Sequence, residues 1–273
     1  PRVVAMSSTD GPPVRVIAFH MVDHLPGHPL EPYSVTPAQF TLHVESLRDE
    51  GWQIIDLPAY LDHVAGAPAR RPSVLLTFDD GYHSLLDHAV PVLETFDIRP
   101  VVAVVTGLIG ATNEWDAQHG GAPLPLLTSS EIDQLRAAGW SIVSHTMRHE
   151  HLHGRPVADL AEDYLCSRQA TAGAAPSSGG VLVYPYGEHN LMARRAVRKA
   201  GYEAAFALDV TRTGGLADRF ALPRLEVKQD MTTEALLQLL EQPNVGRQAQ
   251  WRREAGVLAR CLKTVWKTRS LVA

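Results

Sequence analysis

An α/β fold, an incomplete (β/α)7-type barrel of parallel strands, is what this sequence predicts, and three observations carry the prediction. Short apolar or β-branched runs at 14–19, 53–55, 73–77, 101–105, 141–144, 181–184 and 204–208 alternate with helix-like segments, the pattern that builds a parallel sheet. His20, Asp79, Asp80, His145 and Tyr186 each follow such a run within a few positions, at the ends where parallel barrels and sheets place their sites. With 273 residues and 45% hydrophobic content, the chain is long enough for one large domain with a full core. A doubly wound open sheet is the alternative, and residues 222–227 offer a short further strand.

Taken in order, the elements have local reasons. Thr36 caps a helix with Pro37 at its first position, Phe40, Val44 and Leu47 on one face, and Gly51 at its end. Thr128-Ser129-Ser130-Glu131 reads as a capping box opening a helix that Gly139 closes. Asn190 opens a basic helix that Gly201 ends. The expected organisation is an N-terminal tail at 1–13, a catalytic domain at 14–245 and a basic amphipathic helix at 246–273.

Composition narrows the function classes. A net charge of -5 and a pI near 6.2 give no reason to expect a nucleic-acid partner. Cys166 and Cys261 match no metal or redox spacing, which argues against a disulfide framework. No apolar run reaches the length of a membrane span, and residues 1–13 lack the basic start and apolar core of a secretion signal. The cytoplasm is favoured on that ground, with a removed leader left open because the chain begins with Pro.

The chemistry concentrates in two motifs. Asp79 and Asp80 directly follow the apolar Val74, Leu75 and Leu76, and carboxylates so placed need a metal, a proton or a partner. His145 and His149 supply two imidazoles four positions apart after a second strand-like run, sharing a face if that segment is helical. One carboxylate and two imidazoles form a ligand set for a divalent transition metal, and they leave the other carboxylate free as a base. The plainer readings are an N-cap and turn for the Asp pair, and capping or surface histidines for the His pair.

These residues also carry a family resemblance. Thr77-Phe78-Asp79-Asp80-Gly81 and Ser144-His145-Thr146-x-x-His149-x-x-Leu152 resemble the first two signature motifs of the NodB-homology polysaccharide deacetylases, carbohydrate esterase family 4. Tyr184-Pro185-Tyr186-Gly187 resembles part of the third, and the likeness spans about residues 14–227. It implies a NodB-like barrel and a metal-dependent hydrolase that removes N-acetyl groups from an N-acetylhexosamine-containing polysaccharide, oligosaccharide or glycoconjugate.

By that resemblance Asp80, His145 and His149 bind one divalent ion, zinc first, with cobalt, nickel or iron as ions the same donors accept. Asp79 is the base, and the backbone N–H of Tyr186 faces the oxyanion. Two positions depart from the family pattern. Val183 stands where the third motif usually has an arginine beside the base, and Arg224 is the substitute. No Leu-x-His-like motif follows residue 227, whereas His20 ends an apolar strand near the N-terminus. In a closed barrel the first and last strands are neighbours, so a permuted order delivers His20 as the general acid. This order resembles the branch that de-N-acetylates poly-β-1,6-N-acetylglucosamine. His189, after the Pro-Tyr-Gly turn, is the rival acid, and a satisfied strand-end histidine is the plain reading of His20.

Substrate contacts are expected from Trp115, Tyr186 and Pro185, with Trp115 either stacking on a sugar face or anchoring its loop. Residues 247–269 carry seven basic side chains against Glu254, which fits weak contact with a membrane surface or a helix packed on the barrel. A different amidohydrolase acting on a small acylated intermediate, and a carbohydrate-binding pseudoenzyme, are the competing functions.

Overall fold

The computed structural model describes residues 11–152, 155–172, 180–208 and 218–242. The expected helix at 246–273 and most of the expected tail at 1–13 lie outside these residues.

In chain order the strands are β1 (Val14–Phe19), β2 (Met21–Val22), β3 (Ser34–Val35), β4 (Gln53–Ile55), β5 (Ser73–Phe78), β6 (Val101–Val104), β7 (Ser141–Ser144), β8 (Val181–Val183), β9 (Ala204–Leu208) and β10 (Leu222–Glu226). The helices are α1 (Pro37–Asp49), α2 (Leu57–Val64), α3 (Val90–Thr95), α4 (Ser129–Ala137), α5 (Val157–Thr171), α6 (Leu191–Lys199) and α7 (Thr233–Glu241). β1 pairs with β5 along one edge and with β10 along the other. Seven parallel strands therefore close a ring in the order β1, β5, β6, β7, β8, β9, β10, which excludes the open sheet.

Membership of the ring differs from the expectation in one respect. The run at 53–55 stays outside it, pairing with 73–75 of β5, while 222–226 becomes the closing strand. The reason is local: β6 pairs only at Thr77 and Phe78, so the first half of the same β5 edge is open to the three-residue β4.

Alternation along the strands sorts side chains into two layers. Ile17, Phe19, Val74, Leu76, Phe78, Val102, Val104 and Ile142 cluster with Phe40, Val44 and Leu47 of α1 and with Leu236 and Leu240 of α7, so they face outward. Val16, Leu75, Val101, Ala103, Val143, Val181, Val183, Ala204, Phe206 and Leu222 pack together as the barrel interior. Leu57 and Tyr60 of α2 join this inner cluster, with the Tyr60 and Phe206 rings 5.5 Å apart. The barrel is thus filled through its lower half, and only the other end is available for a site.

The helix ends follow the sequence signals. Thr36 accepts from the Gln39 N–H, Thr128 and Glu131 form the reciprocal capping box, and Asn190 accepts from the Ala193 N–H.

Candidate active site

Continuing the inward register of each strand past its end generates the site. From Val16, two-residue steps lead to His20; from Leu75, to Asp79; from Val143, to His145; from Leu222, to Arg224 and Glu226. All of these line one cavity of about 890 Å³ at the C-terminal mouth of the barrel. Thr77, one step below Asp79, hydrogen-bonds across to the Ile17 carbonyl.

Asp79 is buried and held by a bidentate pair. Arg224 donates to both its carboxylate oxygens at 2.7 Å, and the same guanidinium donates to Thr77 Oγ1 at 2.9 Å. Arg224 is itself 1% exposed and lies over the Phe206 ring. Burial works to raise the Asp79 pKa, but the Arg224 charge and hydrogen bonds, helped by His145 and His20, bring it below the usual carboxylate range. Val183 faces the same interior, so a guanidinium reaches this carboxylate from β10 where the familiar motif would send one from the region of β8.

Asp80 would point outward if the strand continued. Instead it takes φ +70°, Gly81 follows at φ +76°, and the turn swings the Asp80 carboxylate toward the imidazoles. Its Oδ1 lies 3.2 Å from Nε2 of both His145 and His149. Ligand atoms of the three residues all fall within 4.8 Å of one another.

His145 continues β7, and its Nδ1–H donates to the Val183 carbonyl at 2.9 Å, which leaves Nε2 for a ligand. His149 does not reach the site on a helix. Residues 145–149 form a loop with Thr146 at φ +67° and His149 at φ +54°, and the His149 N–H donates to Thr146 Oγ1. The shared-face expectation is therefore corrected: two left-handed residues, not one helical turn, bring the imidazoles together.

The three donors fit a divalent cation. Asp80 Oδ1 is buried with no well-formed hydrogen bond, although two imidazole nitrogens lie beside it. Burial opposes its charge, yet the two histidines hold its pKa well below the ordinary value. For His149 burial prevails and keeps the imidazole neutral, the form that ligates; for His145 the carboxylates outweigh burial and raise it.

The remaining expected residues divide. His20 lies on the cavity wall, with its ring 5.5 Å from Tyr33, and its buried Nδ1 has no hydrogen-bond partner among the described residues. His189 is not among the lining residues and sits by Tyr184. Trp115 lines the cavity and packs on His149 at 4.6 Å, so it both faces the opening and supports a donor.

Tyr186, 40% exposed, also lines it, with its ring between His149 at 4.6 Å and His151 at 3.7 Å. Its φ of +56° belongs to the tight Pro-Tyr-Gly turn, where a Cβ on Gly187 would stand 2.6 Å from the Leu208 nitrogen. Pro185 is corrected: it is buried at the start of the turn and does not line the cavity.

Tyr82, Asp116, Glu226 and Lys228 also line the cavity. Asp116 comes with Trp115 on the long connection at 113–125 that the sequence already offers as a cleft wall, and Glu226 is the next inward step of β10. Tyr82 and Lys228 carry no pattern in the sequence that marks them.

Comparison with known proteins identifies the family and the fold. The family model described as polysaccharide deacetylase matches residues 66–205, more than half of the chain. A poly-beta-1,6-N-acetyl-D-glucosamine N-deacetylase of Staphylococcus epidermidis is 27% identical over 211 residues, covering 72% of this chain and 69% of that protein. A Staphylococcus aureus protein of the same name is 22% identical over 207 residues, covering 72% and 69%.

Among solved structures, IcaB from Ammonifex degensii superposes with a TM-score of 0.71 at 21% identity, covering 85% of this chain and 99% of that one. The Streptococcus pyogenes deacetylase PplD gives 0.69 at 20% identity, covering 85% and 98%. These two likenesses establish the shared barrel. The family match along the sequence goes further, and by it the chain belongs to the polysaccharide deacetylase family.

Proposed function

We propose that this protein is a metal-dependent hydrolase that removes N-acetyl groups from an N-acetylhexosamine-containing polysaccharide, oligosaccharide or glycoconjugate. The observation that carries the reading is the division of labour between adjacent carboxylates: Arg224 clamps Asp79, whereas Asp80 faces two imidazole nitrogens. The relatives named as poly-beta-1,6-N-acetyl-D-glucosamine N-deacetylases support the substrate class.

Asp80, His145 and His149 would hold the ion, zinc or one of cobalt, nickel and iron. Such an ion, when bound, polarises an acyl carbonyl and acidifies water. Asp79, kept ionised by Arg224, accepts the proton of the attacking water. His20, which lines the same cavity, delivers a proton to the departing amine nitrogen. The Tyr186 N–H, fixed by a left-handed turn, is the donor for the developing oxyanion. Trp115 and Tyr186 flank the opening as stacking surfaces for a sugar ring.

The test is acetate release from N-acetylglucosamine oligomers, with small N-acetyl amides as comparators, after chelation and after adding back zinc, cobalt, nickel or iron. Restored release from the oligomers is expected. Release from the small amides alone would move the function to the small-substrate hydrolases. No release with any of the four ions would leave a binding protein on a deacetylase fold. Replacing His20 by Ala is expected to retain metal while slowing turnover by about two to four orders of magnitude; near-normal turnover would remove His20 from the mechanism.

A further inference from the structure

The loop that carries His149 is held from outside the barrel. Its non-glycine residues at positive φ, Thr146 and His149, persist only where the surroundings over-determine them. Those surroundings come from the segment after β6, whose Thr106 and Gly107 N–H groups donate to the Thr146 and Met147 carbonyls at 2.9 and 3.0 Å, and from α5. Ser167 is fully buried, with its Oγ 2.6 Å from Ser144 Oγ and 2.8 Å from Thr106 Oγ1. Ser144 Oγ accepts from the Thr146 N–H at 3.2 Å, and Thr106 Oγ1 lies 3.1 Å from the Thr146 carbonyl oxygen. One helical turn earlier, buried Asp163 accepts the Met147 N–H through Oδ1 at 3.0 Å and meets Arg155 through Oδ2 at 3.3 Å.

Asp163 and Ser167, four residues apart, thus project from one face of α5 and secure both sides of Thr146. Packing alone does not require them. Leu160 and Tyr164 already seat α5 on the apolar layer, and a buried hydroxyl or carboxylate there is costly unless its hydrogen bonds are made. One bond from each ends directly on the segment that turns His149 back toward Asp80, Ser167 on Ser144 and Asp163 on Met147.

We infer that Asp163 and Ser167 are positioning residues for the metal centre, setting the 144–149 loop so that the His149 Nε2 meets Asp80 without themselves touching ion or substrate. The inference rests on the metal-binding reading proposed above. Outer partners of this kind tune metal affinity through ligand orientation.

The experiment compares the wild type with Asp163→Ala, Asp163→Asn and Ser167→Ala. Zinc affinity of each metal-free protein is measured by calorimetry, the cobalt-loaded forms by visible spectroscopy, and folding by circular dichroism and thermal midpoint. Asp163→Ala and Ser167→Ala are expected to bind zinc roughly 10–100-fold more weakly with an altered cobalt band. Asp163→Asn, which keeps an acceptor oxygen, is expected to stay within about threefold of the wild type.

A structural role alone would lower the midpoint and leave the affinity of the folded protein and its cobalt spectrum unchanged; that outcome overturns the inference. Should Asp163→Ala not fold, Ser167→Ala decides in the same way. Failure of the wild type to bind zinc or cobalt would instead overturn the metal-binding reading.

Discussion

Arg224 shows how one side chain can set the state of another. A carboxylate buried as deeply as Asp79 is tolerated because both its oxygens meet one guanidinium, and removing one partner of such a pair costs about 3–5 kcal/mol. Asp79 is held below its ordinary pKa, so this contribution is full at neutral pH and is lost as pH falls through the depressed native value. Arg224→Ala is therefore expected to destabilise the protein and to move the acid limb of the kcat/KM profile to higher pH. Arg224→Lys restores charge without the fork and is expected to recover only part of either. An unmoved acid limb in Arg224→Ala would show that Asp79 is not the group titrating there. Sequence carried Asp79 clearly and Arg224 only by resemblance, because 145 residues separate the pair and no local period links them.

Elements were legible to the degree that their signals were local. The caps of α1 and α4 and the all-buried run of β5 could be read directly. The loop after β7 could not, because left-handed Thr146 and His149 are non-glycine residues imposed by contacts from β6 and α5. The contact of α1 with α7 was equally hidden, and it yields a measurable pH effect. His43 of α1 is buried, with Nδ1 2.9 Å from Thr233 Oγ1 of α7 and its Nε2 unpartnered among the described residues.

Burial lowers the His43 pKa to about 4 against the opposing charge of Glu234. The unfolded chain takes up this proton near pH 6.5 and the native protein does not, so stability is present above about pH 6.5 and falls between there and about pH 4. His43→Gln is expected to flatten that part of the urea-midpoint profile. Parallel profiles for the two proteins would exclude His43 as a source.

At the scale of the whole molecule, the placing of His20, Asp79, Asp80, His145 and Tyr186 after strand-like runs was legible, whereas which side chains turn inward was not, because the strands are apolar on both faces. Which strands form the ring was hidden too, because β4 and β10 are both short and only pairing with β1 makes one of them the closing strand. A metal bound by Asp80, His145 and His149 would tie the turn after β5 to the loop after β7 and so favour the native state. Zinc at about 100 times its Kd is then expected to add roughly 2.7 kcal/mol of stability. That gain should appear as a raised thermal midpoint and be absent in Asp80→Asn; an equal rise in both proteins would place the ion elsewhere.

The pairing of β10 with β1 gives the molecule a latch. A chain docked only as far as β9 lacks the guanidinium that meets both Asp79 oxygens. Docking of the last ring strand and ionisation of Asp79 are thermodynamically linked, each favouring the other. On the mechanism proposed above, in which Asp79 is the base, closing the ring is then also what readies that base.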